Sequence, residues 1–141
     1  MISFSPSTVD DIDQIVEWTK HDPYHFHQGQ PEWWLTEAEG SLLAFCLMDK
    51  KGPVAYVRLD VDGDFIRIHT QFAPEAVVSK RRLVVGMIAA VKKLIEFYSS
   101  QTIMRGFIFN SINPSLIMFM DKHLGFKPAG DDDYWLIFEG K

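Results

Sequence analysis

The alternation of apolar and polar residues predicts three successive strands in the first half of the chain. Residues 42–48 are almost continuously apolar, which is typical of a strand that is buried on both faces. Apolar and polar residues then alternate over residues 55–61 and again over 66–72, which indicates strands with two different faces. Asp62-Gly63 lies between them and favours a two-residue hairpin, because both positions tolerate positive φ. We therefore expect an antiparallel run of three strands.

Helical spacing predicts further elements on either side of these strands. A short strand at residues 2–4 precedes a helix that starts near Val9, where the hydroxyl of Thr8 can cap it. Residues 31–39 begin with proline and are followed by glycine, as is typical of a short helix. After the strands, an apolar stripe over residues 82–99 predicts a long amphipathic helix.

The last third of the chain predicts a strand, a helix and a strand. Residues 103–109 form the first of these strands and residues 134–139 the second. Between them Asn113 can cap a helix that has Pro114 at its first position and ends at Gly125 in a left-handed cap. The order of elements indicates an α+β fold, with a mixed, mostly antiparallel sheet flanked by helices.

The composition is that of a folded protein and excludes several function classes. Of the 141 residues, 47% are hydrophobic and 23% charged, and no linker or repeat interrupts them, so we expect a single domain over residues 1–141. A net charge of −5 argues against a nucleic-acid partner. No apolar run approaches the ~18 residues of a membrane span, and the first residues lack the features of a signal peptide. We therefore expect no membrane partner and a cytoplasmic location.

The chain has two groups of potential metal ligands, and neither predicts a metal site. Cys46 is the only cysteine and lies in an apolar run, which excludes a disulfide framework and a cysteine-rich zinc site. His21, Asp22, His25 and His27 are residue types that bind zinc or iron, but they lie in an irregular loop over residues 21–30 with no supporting shell. We therefore expect no metal site.

A basic segment at the start of the long helix is the strongest candidate for chemistry. Lys80, Arg81 and Arg82 are consecutive and directly precede the amphipathic stripe. A helix N-terminus offers unpaired N–H groups and a partial positive charge, so it attracts anions such as a pyrophosphate. The alternative is a solvated basic turn without a ligand.

Two segments resemble motifs of the GCN5-related N-acetyltransferase (GNAT) superfamily. Residues 81–86 read Arg-Arg-Leu-Val-Val-Gly and resemble the acyl-CoA pyrophosphate motif [Q/R]-x-x-G-x-[G/A]. Residues 113–126 begin with Asn-Pro-Ser and end with Lys-His-Leu-Gly-Phe, which is similar to the family's N-P-x-[A/S]…[F/Y]-x-K-x-x-G-F segment. The resemblance covers almost the whole chain, since the order of elements also matches. It implies an acyl-CoA-dependent N-acyltransferase that moves an acetyl group from acetyl-CoA to an amine of a small molecule or a protein.

The resemblance also implies roles for individual residues. The pantetheine arm would lie beside the end of the third strand, and the pyrophosphate at the loop and helix start. The cofactor-binding residues would be Thr70, Gln71, Phe72, Lys80, Arg81, Arg82, Val84, Val85 and Gly86, with Asn113 nearby. The acceptor-binding residues would be the aromatic cluster Tyr24, Phe26, Trp33 and Trp34.

Two residues are candidates for the general base. His69 is expected on the polar face of its strand, and an imidazole with a pKa near 6.5 suits proton abstraction. Glu75, shortly after that strand, is the second candidate. A structural or merely exposed histidine is the alternative for His69.

The chain departs from the family pattern at two places, which leaves a second function open. Val84 replaces the first glycine of the phosphate motif, and Met120 and Asp121 stand where the family often has a tyrosine that protonates the thiolate. The alternative is a catalytically degenerate GNAT-fold protein that binds a partner or has a structural role through residues 21–34. The many aromatic residues also permit a homodimer.

Overall fold

The strands form one seven-stranded sheet in the order β1-β2-β3-β4-β5-β7-β6. The computed structural model describes residues 2–24, 31–36, 40–101 and 103–140. The strands are β1 (Ser3–Pro6), β2 (Ser41–Asp49), β3 (Gly52–Asp62), β4 (Phe65–Phe72), β5 (Gly106–Asn110), β6 (Lys127–Gly130) and β7 (Asp133–Ile137). The helices are α1 (Ile12–Lys20), α2 (Lys80–Gln101) and α3 (Pro114–Leu124), with 3-10 turns at Val9–Asp11 and Pro31–Leu35. β4 and β5 are parallel and every other pair is antiparallel, which confirms the predicted mixed, mostly antiparallel sheet.

Each face of the sheet is covered by different helices. Leu47 of β2 lies next to α2, where it is within contact distance of a Cβ placed at Gly86. Tyr56 of β3 points the other way, since its hydroxyl reaches Asp11 and Gln14 at the start of α1. Because successive side chains of a strand alternate, every second residue from Tyr56 along β3 lies on this second face, which we call the α1 face. The antiparallel register places alternate residues of β4 on the same face.

The predicted burial of residues 42–48 on both faces is wrong at the start of the strand. Leu42 and Leu43 are 43% and 39% exposed. β1 pairs with β2 only between Phe45 and Met48, so the first part of β2 lies beyond the end of its neighbour. The end of β2 is buried as expected.

The hairpin between β3 and β4 forms, but one residue later than predicted. Asp62 pairs with Phe65, so the two loop residues are Gly63 and Asp64 rather than Asp62 and Gly63. Gly63 has φ +61°, which suits the first loop position of a type II′ turn.

A second hairpin was not predicted at all. β6 pairs with β7 through a turn in which Asp131 and Asp132 have φ +54° and +64°. Positive φ at both positions is the requirement of a type I′ turn, and aspartate tolerates it better than most residues. The last strand itself begins at Asp133 and ends at Ile137, two residues before the predicted end.

The helices also begin and end at residues that differ from the predictions. The helix expected over residues 31–39 is a 3-10 turn over Pro31–Leu35, and residues 37–39 lie outside the described part. The strand expected at 103–109 spans Gly106–Asn110. α2 starts at Lys80, two residues before the predicted start at 82, so Lys80, Arg81 and Arg82 form its first turn. In the part of the chain that the structure describes, no helix is long and apolar enough to cross a membrane.

Candidate functional site

The parallel strands β4 and β5 separate in the middle of the sheet. They pair only from Phe65 with Gly106 to Arg67 with Ile108. β4 continues to Phe72 along β3, whereas the rest of β5 pairs with β7. Backbone groups of residues 68–72 that point away from β3 therefore have no strand partner among the described residues. The result is a V-shaped opening between β4 and β5, and the unpaired edge of β4 forms one of its two sides.

Two helix N-termini lie at the wide end of this opening. β4 leads through residues 73–79 into α2, and β5 leads through residues 111–113 into α3. Because the two strands are parallel, their carboxyl ends and the helices that follow start at the same edge of the sheet. The positive ends of two helix dipoles therefore flank the opening.

The three basic residues at the start of α2 differ in what they contact. The Arg82 guanidinium donates to both carboxylate oxygens of Asp49, at 2.8 and 2.7 Å, and holds the pKa of that carboxyl at about 2. Arg82 therefore fixes the helix to the turn between β2 and β3. Lys80 and Arg81 are exposed and form no ion pair with the described residues, so their charges are available to an anion.

The unpaired backbone N–H groups at the start of α2 lie nearer the N-terminus than the motif over residues 81–86 predicted. The Ser79 hydroxyl accepts the N–H of Arg82 at 3.3 Å and caps the helix. From Val84 onward the amides lie in the helix interior, where each donates to the carbonyl four residues before. Val85 and Gly86 are the sixth and seventh residues of α2, so neither lies in the first turn. Val85 is 58% exposed and Gly86 faces the sheet. The amides left for an anion are those that enter the first turn, near Lys80 and Arg81.

Asn113 has the capping role that the sequence predicted. Its Oδ1 accepts the N–H groups of Ser115 at 3.1 Å and Leu116 at 3.5 Å, and Gly125 ends α3 at φ +83°. Its position at the edge of the opening is compatible with an additional contact to a ligand.

The three residues predicted beside the pantetheine arm lie on the β4 side of the opening. The Gln71 side chain is only 1% exposed and turned toward α1. Its Nε2 donates to Asp22 at 3.1 Å, and Thr19 donates to its Oε1 at 3.4 Å. Thr70 and Phe72 point to the opposite face, because side chains alternate along the strand. Backbone groups alternate between the two edges of a strand, and Ala73 donates its N–H to Val54 of β3. Thr70 and Phe72 can therefore meet a ligand in the opening through their backbone, whereas the backbone of Gln71 faces its partner Tyr56 in β3.

His69 lies on the α1 face, one residue beyond the start of the opening. Its side chain is 33% exposed and its Nε2 is 3.5 Å from the Asp60 carboxylate. Its ring meets that of Trp33 edge-on, with 4.9 Å between the centroids. Burial lowers the pKa of His69, and the Asp60 charge opposes that shift. The imidazole is therefore neutral near pH 7 and able to accept a proton.

The other predicted site residues are more scattered. Glu75 is exposed in the turn after β4. Tyr24 is 40% exposed, Trp33 is 39% exposed, and Trp34 packs against the core. Phe26 lies outside the described residues. The structure thus brings Trp33 next to His69, while Glu75 lies in a different segment.

Sequence reasoning missed two residues of this cluster, Arg58 and Asp60. Arg58 pairs with His69 across the hairpin, and Asp60 follows it on the same face. The signal was present in the alternation of β3, where both are polar positions, but it needs the correct hairpin register. Among the described residues no group of three or more histidine, cysteine or acidic side chains is arranged to hold a metal.

Comparison with known proteins places the fold. No protein-family model and no curated protein sequence matches the chain. An alanine N-acetyltransferase from Escherichia coli that acts on a ribosomal protein superposes with a TM-score of 0.68 at 15% identity, over 98% of this chain and 94% of that one. An aminoglycoside acetyltransferase solved with coenzyme A and kanamycin has a TM-score of 0.70 at 14% identity, over 97% and 94%. A GNAT-family acetyltransferase from Brucella melitensis in complex with acetyl-CoA has a TM-score of 0.59 at 12% identity, over 98% and 88%.

These likenesses extend over nearly the whole chain, and the expected resemblance is thereby confirmed at the level of the fold. The chain has the fold of the GCN5-related N-acetyltransferase superfamily.

Proposed function

We propose that the protein is an acyl-CoA-dependent N-acyltransferase that uses acetyl-CoA as donor and an amine as acceptor. The observation that carries the proposal is the opening between β4 and β5, with its free backbone edge and two helix N-termini. Similar chains have been solved with acetyl-CoA, or with coenzyme A and kanamycin. A donor of that kind has an extended amide-containing arm and a pyrophosphate, and the opening offers a complement to each.

The donor would be held by the edge of β4 and the start of α2. Amides of the pantetheine arm would pair with the backbone of Thr70 and Phe72, as an added strand does, with Gln71 between them. The pyrophosphate would meet the first amides of α2 and the free side chains of Lys80 and Arg81. Arg82, tied to Asp49, would contribute through its field rather than by direct contact.

His69 would act as the general base. The neutral amine of the acceptor attacks the thioester carbonyl, and the neutral imidazole takes the proton that the nitrogen loses as the C–N bond forms. The C–S bond then breaks and the coenzyme A thiolate leaves. A free thiol has a pKa of about 8.5, so the thiolate can leave and take its proton from water. This route requires no tyrosine at Met120 or Asp121.

The acceptor would enter from the α1 face, where His69 and Trp33 lie. Trp33 is 39% exposed, and its ring contacts that of the proposed base. Tyr24 and Phe26 remain proposed as contacts to the acceptor, which is an amine of a small molecule or of a protein.

The test combines a thermal-shift titration with acetyl-CoA and a paired set of lysine and arginine variants. At about 100 times its Kd, acetyl-CoA should stabilise the wild type by about 2.7 kcal/mol. In the double variant Lys80→Ala/Arg81→Ala we expect at least tenfold weaker binding, because two charges next to the pyrophosphate are lost. The control Lys92→Ala/Lys93→Ala removes the same charge from the exposed side of α2 and should bind normally.

Two results would contradict the proposal. Absence of any shift at millimolar acetyl-CoA would favour the binding or structural role through residues 21–34. Equal weakening in both double variants would show that only the net charge of the protein matters.

A further inference from the structure

Arg58 is a buried arginine with an unusual set of partners. It is 4% exposed. Its Nε and Nη2 donate to the Asp60 carboxylate at 3.0–3.2 Å, and Nη2 also donates to the Ser41 hydroxyl at 2.9 Å. Its Nη1 donates to the backbone carbonyl of Trp33. One guanidinium therefore joins β3, the start of β2 and the 3-10 turn at Pro31–Leu35.

The same guanidinium also lies on the Trp33 ring. Its central carbon is 4.6 Å from the ring centroid, which is a cation–π distance. Trp33 is thus held twice by Arg58, through its carbonyl and through its ring. A lysine could supply the charge but not the planar fork and the stacked contact together.

The contacts of Arg58 to Asp60 and Trp33 converge on His69. Arg58 pairs directly with His69 in the sheet. Asp60, which Arg58 holds, is 3.5 Å from the imidazole, and Trp33, which Arg58 also holds, has its ring centroid 4.9 Å away. An arginine that only filled the interior would be replaceable by a well-packed apolar residue, since buried ion pairs contribute little net stability.

We propose that Arg58 is a positioning residue, which fixes Asp60 and Trp33 around His69 and so shapes the acceptor side of the site. The inference rests on the proposed function only in giving His69 and Trp33 a role in the reaction. The arrangement itself is a property of the free protein. Arg58 touches neither donor nor acceptor in this scheme.

The charges around His69 set the sign of the expected pH effects. Among the described residues, the carboxylates of Asp60 and Asp62 raise the pKa of His69, and the guanidinium groups of Arg58 and Arg67 lower it. Arg58→Met removes a positive charge and leaves the Asp60 carboxylate without its partner, so the pKa of His69 should rise. The acidic limb of kcat/KM should then move to higher pH. Arg58→Lys keeps the charge, so the limb should move little.

The first experiment follows Trp33 without any substrate. The protein is labelled with 5-fluorotryptophan, and the Trp33 resonance is assigned by its loss in Trp33→Phe. In Arg58→Lys we expect this resonance to shift or broaden, because the fork and the stacked contact are gone. The control Arg67→Lys alters a neighbouring arginine that is tied to Asp62 and Asp133 instead, and should leave the Trp33 resonance in place.

The second experiment measures the reaction and the His69 pKa. For Arg58→Lys we expect kcat to fall at least tenfold with a smaller change in the KM for acetyl-CoA. If Arg58→Met does not fold, Asp60→Asn tests the same cluster, because it should lower the pKa of His69 seen by NMR. An unchanged Trp33 resonance in Arg58→Lys overturns the proposal about Arg58, whether or not the protein transfers acetyl groups. An inactive wild type in which Trp33 still moves would instead contradict the proposed function and leave Arg58 in its positioning role.

Discussion

Gly86 offers a direct test of whether a glycine of the predicted motif serves phosphate binding or packing against the sheet. The motif would place it in the pyrophosphate site, but in the structure it is the seventh residue of α2 and faces the sheet. A Cβ added there would lie 3.5 Å from Val54, 3.6 Å from Ile2 and 3.8 Å from Leu47. These are ordinary contact distances, so we expect Gly86→Ala to fit without displacing the sheet.

The expected stabilisation has two sources. Replacing glycine by alanine inside a helix gains about 0.8–1 kcal/mol, because the unfolded chain loses conformational freedom. Burying one methyl group gains up to about 0.8 kcal/mol more. Gly86→Ala should therefore raise the free energy of unfolding by about 1–2 kcal/mol. With an m-value of about 2 kcal/mol/M, the urea midpoint would rise by about 0.5–1 M.

The assay is urea denaturation followed by fluorescence, with acetyl-CoA affinity measured on the same samples. Gly106→Ala is the contrasting variant, because its Cβ would lie 2.0 Å from the Leu136 carbonyl oxygen in β7. There the backbone must move, and we expect destabilisation of about 1–3 kcal/mol or more. The reasoning is refuted if Gly86→Ala destabilises the protein, and the core assignment of Gly86 is refuted if its affinity for acetyl-CoA falls tenfold.

Two further predictions concern the contacts that fix the starts of α2 and α3. Asp49→Asn should lower the free energy of unfolding by about 1 kcal/mol at pH 6. This difference should disappear as the pH falls from about 4 to 2, because the pKa of the Asp49 carboxyl in the folded protein is lowered to about 2. Acid titrations of both proteins measure the difference, and equal losses of stability at pH 6 and pH 2 would contradict the prediction. Asn113→Ala should lower the free energy of unfolding by about 1 kcal/mol through loss of the α3 cap, measured by urea denaturation, whereas Asn113→Asp should retain most of it and serves as the control.

Local signals in the sequence predicted the elements whose ends are set by local chemistry. Asn113, Pro114 and Gly125 each act within one turn of α3, and the structure has all three in the predicted roles. The antiparallel run of β2, β3 and β4 was equally accessible, because alternation along a strand reports which residues share a face. The α+β class follows from these two signals together.

The errors occur where the determining contact is not local. β6 is short and has an irregular pairing with β7, so alternation gave it no signal, and its turn uses two aspartates instead of the commoner Asn-Gly. The exposure of Leu42 depends on where β1 ends, which a pattern within β2 does not contain. The one-residue error at the hairpin between β3 and β4 arose because glycine is acceptable at either loop position, and Gly63 occupies the first position rather than the second.

The same distinction between local and distant contacts applies to the basic segment at residues 80–82. Lys80, Arg81 and Arg82 look equivalent in sequence, yet Arg82 is taken by Asp49, which is 33 residues earlier in the chain. That pairing leaves the two preceding residues as the charges that a pyrophosphate could meet. α2 itself starts at Lys80, so most of the motif register over residues 81–86 lies beyond the free amides of the first turn.

The proposed acceptor side depends even more on contacts between distant segments. The hairpin register alone places Arg58 opposite His69, so a correct turn assignment would have brought these two residues together. No pattern in the sequence places Trp33 there, because its carbonyl and its ring contact the guanidinium of Arg58, 25 residues away. If that contact is what holds the ring, then the shape of the acceptor side is set by a residue that the acceptor never touches. Substitutions at position 58 should accordingly alter acceptor preference while the affinity for acetyl-CoA, which depends on β4 and α2, stays the same.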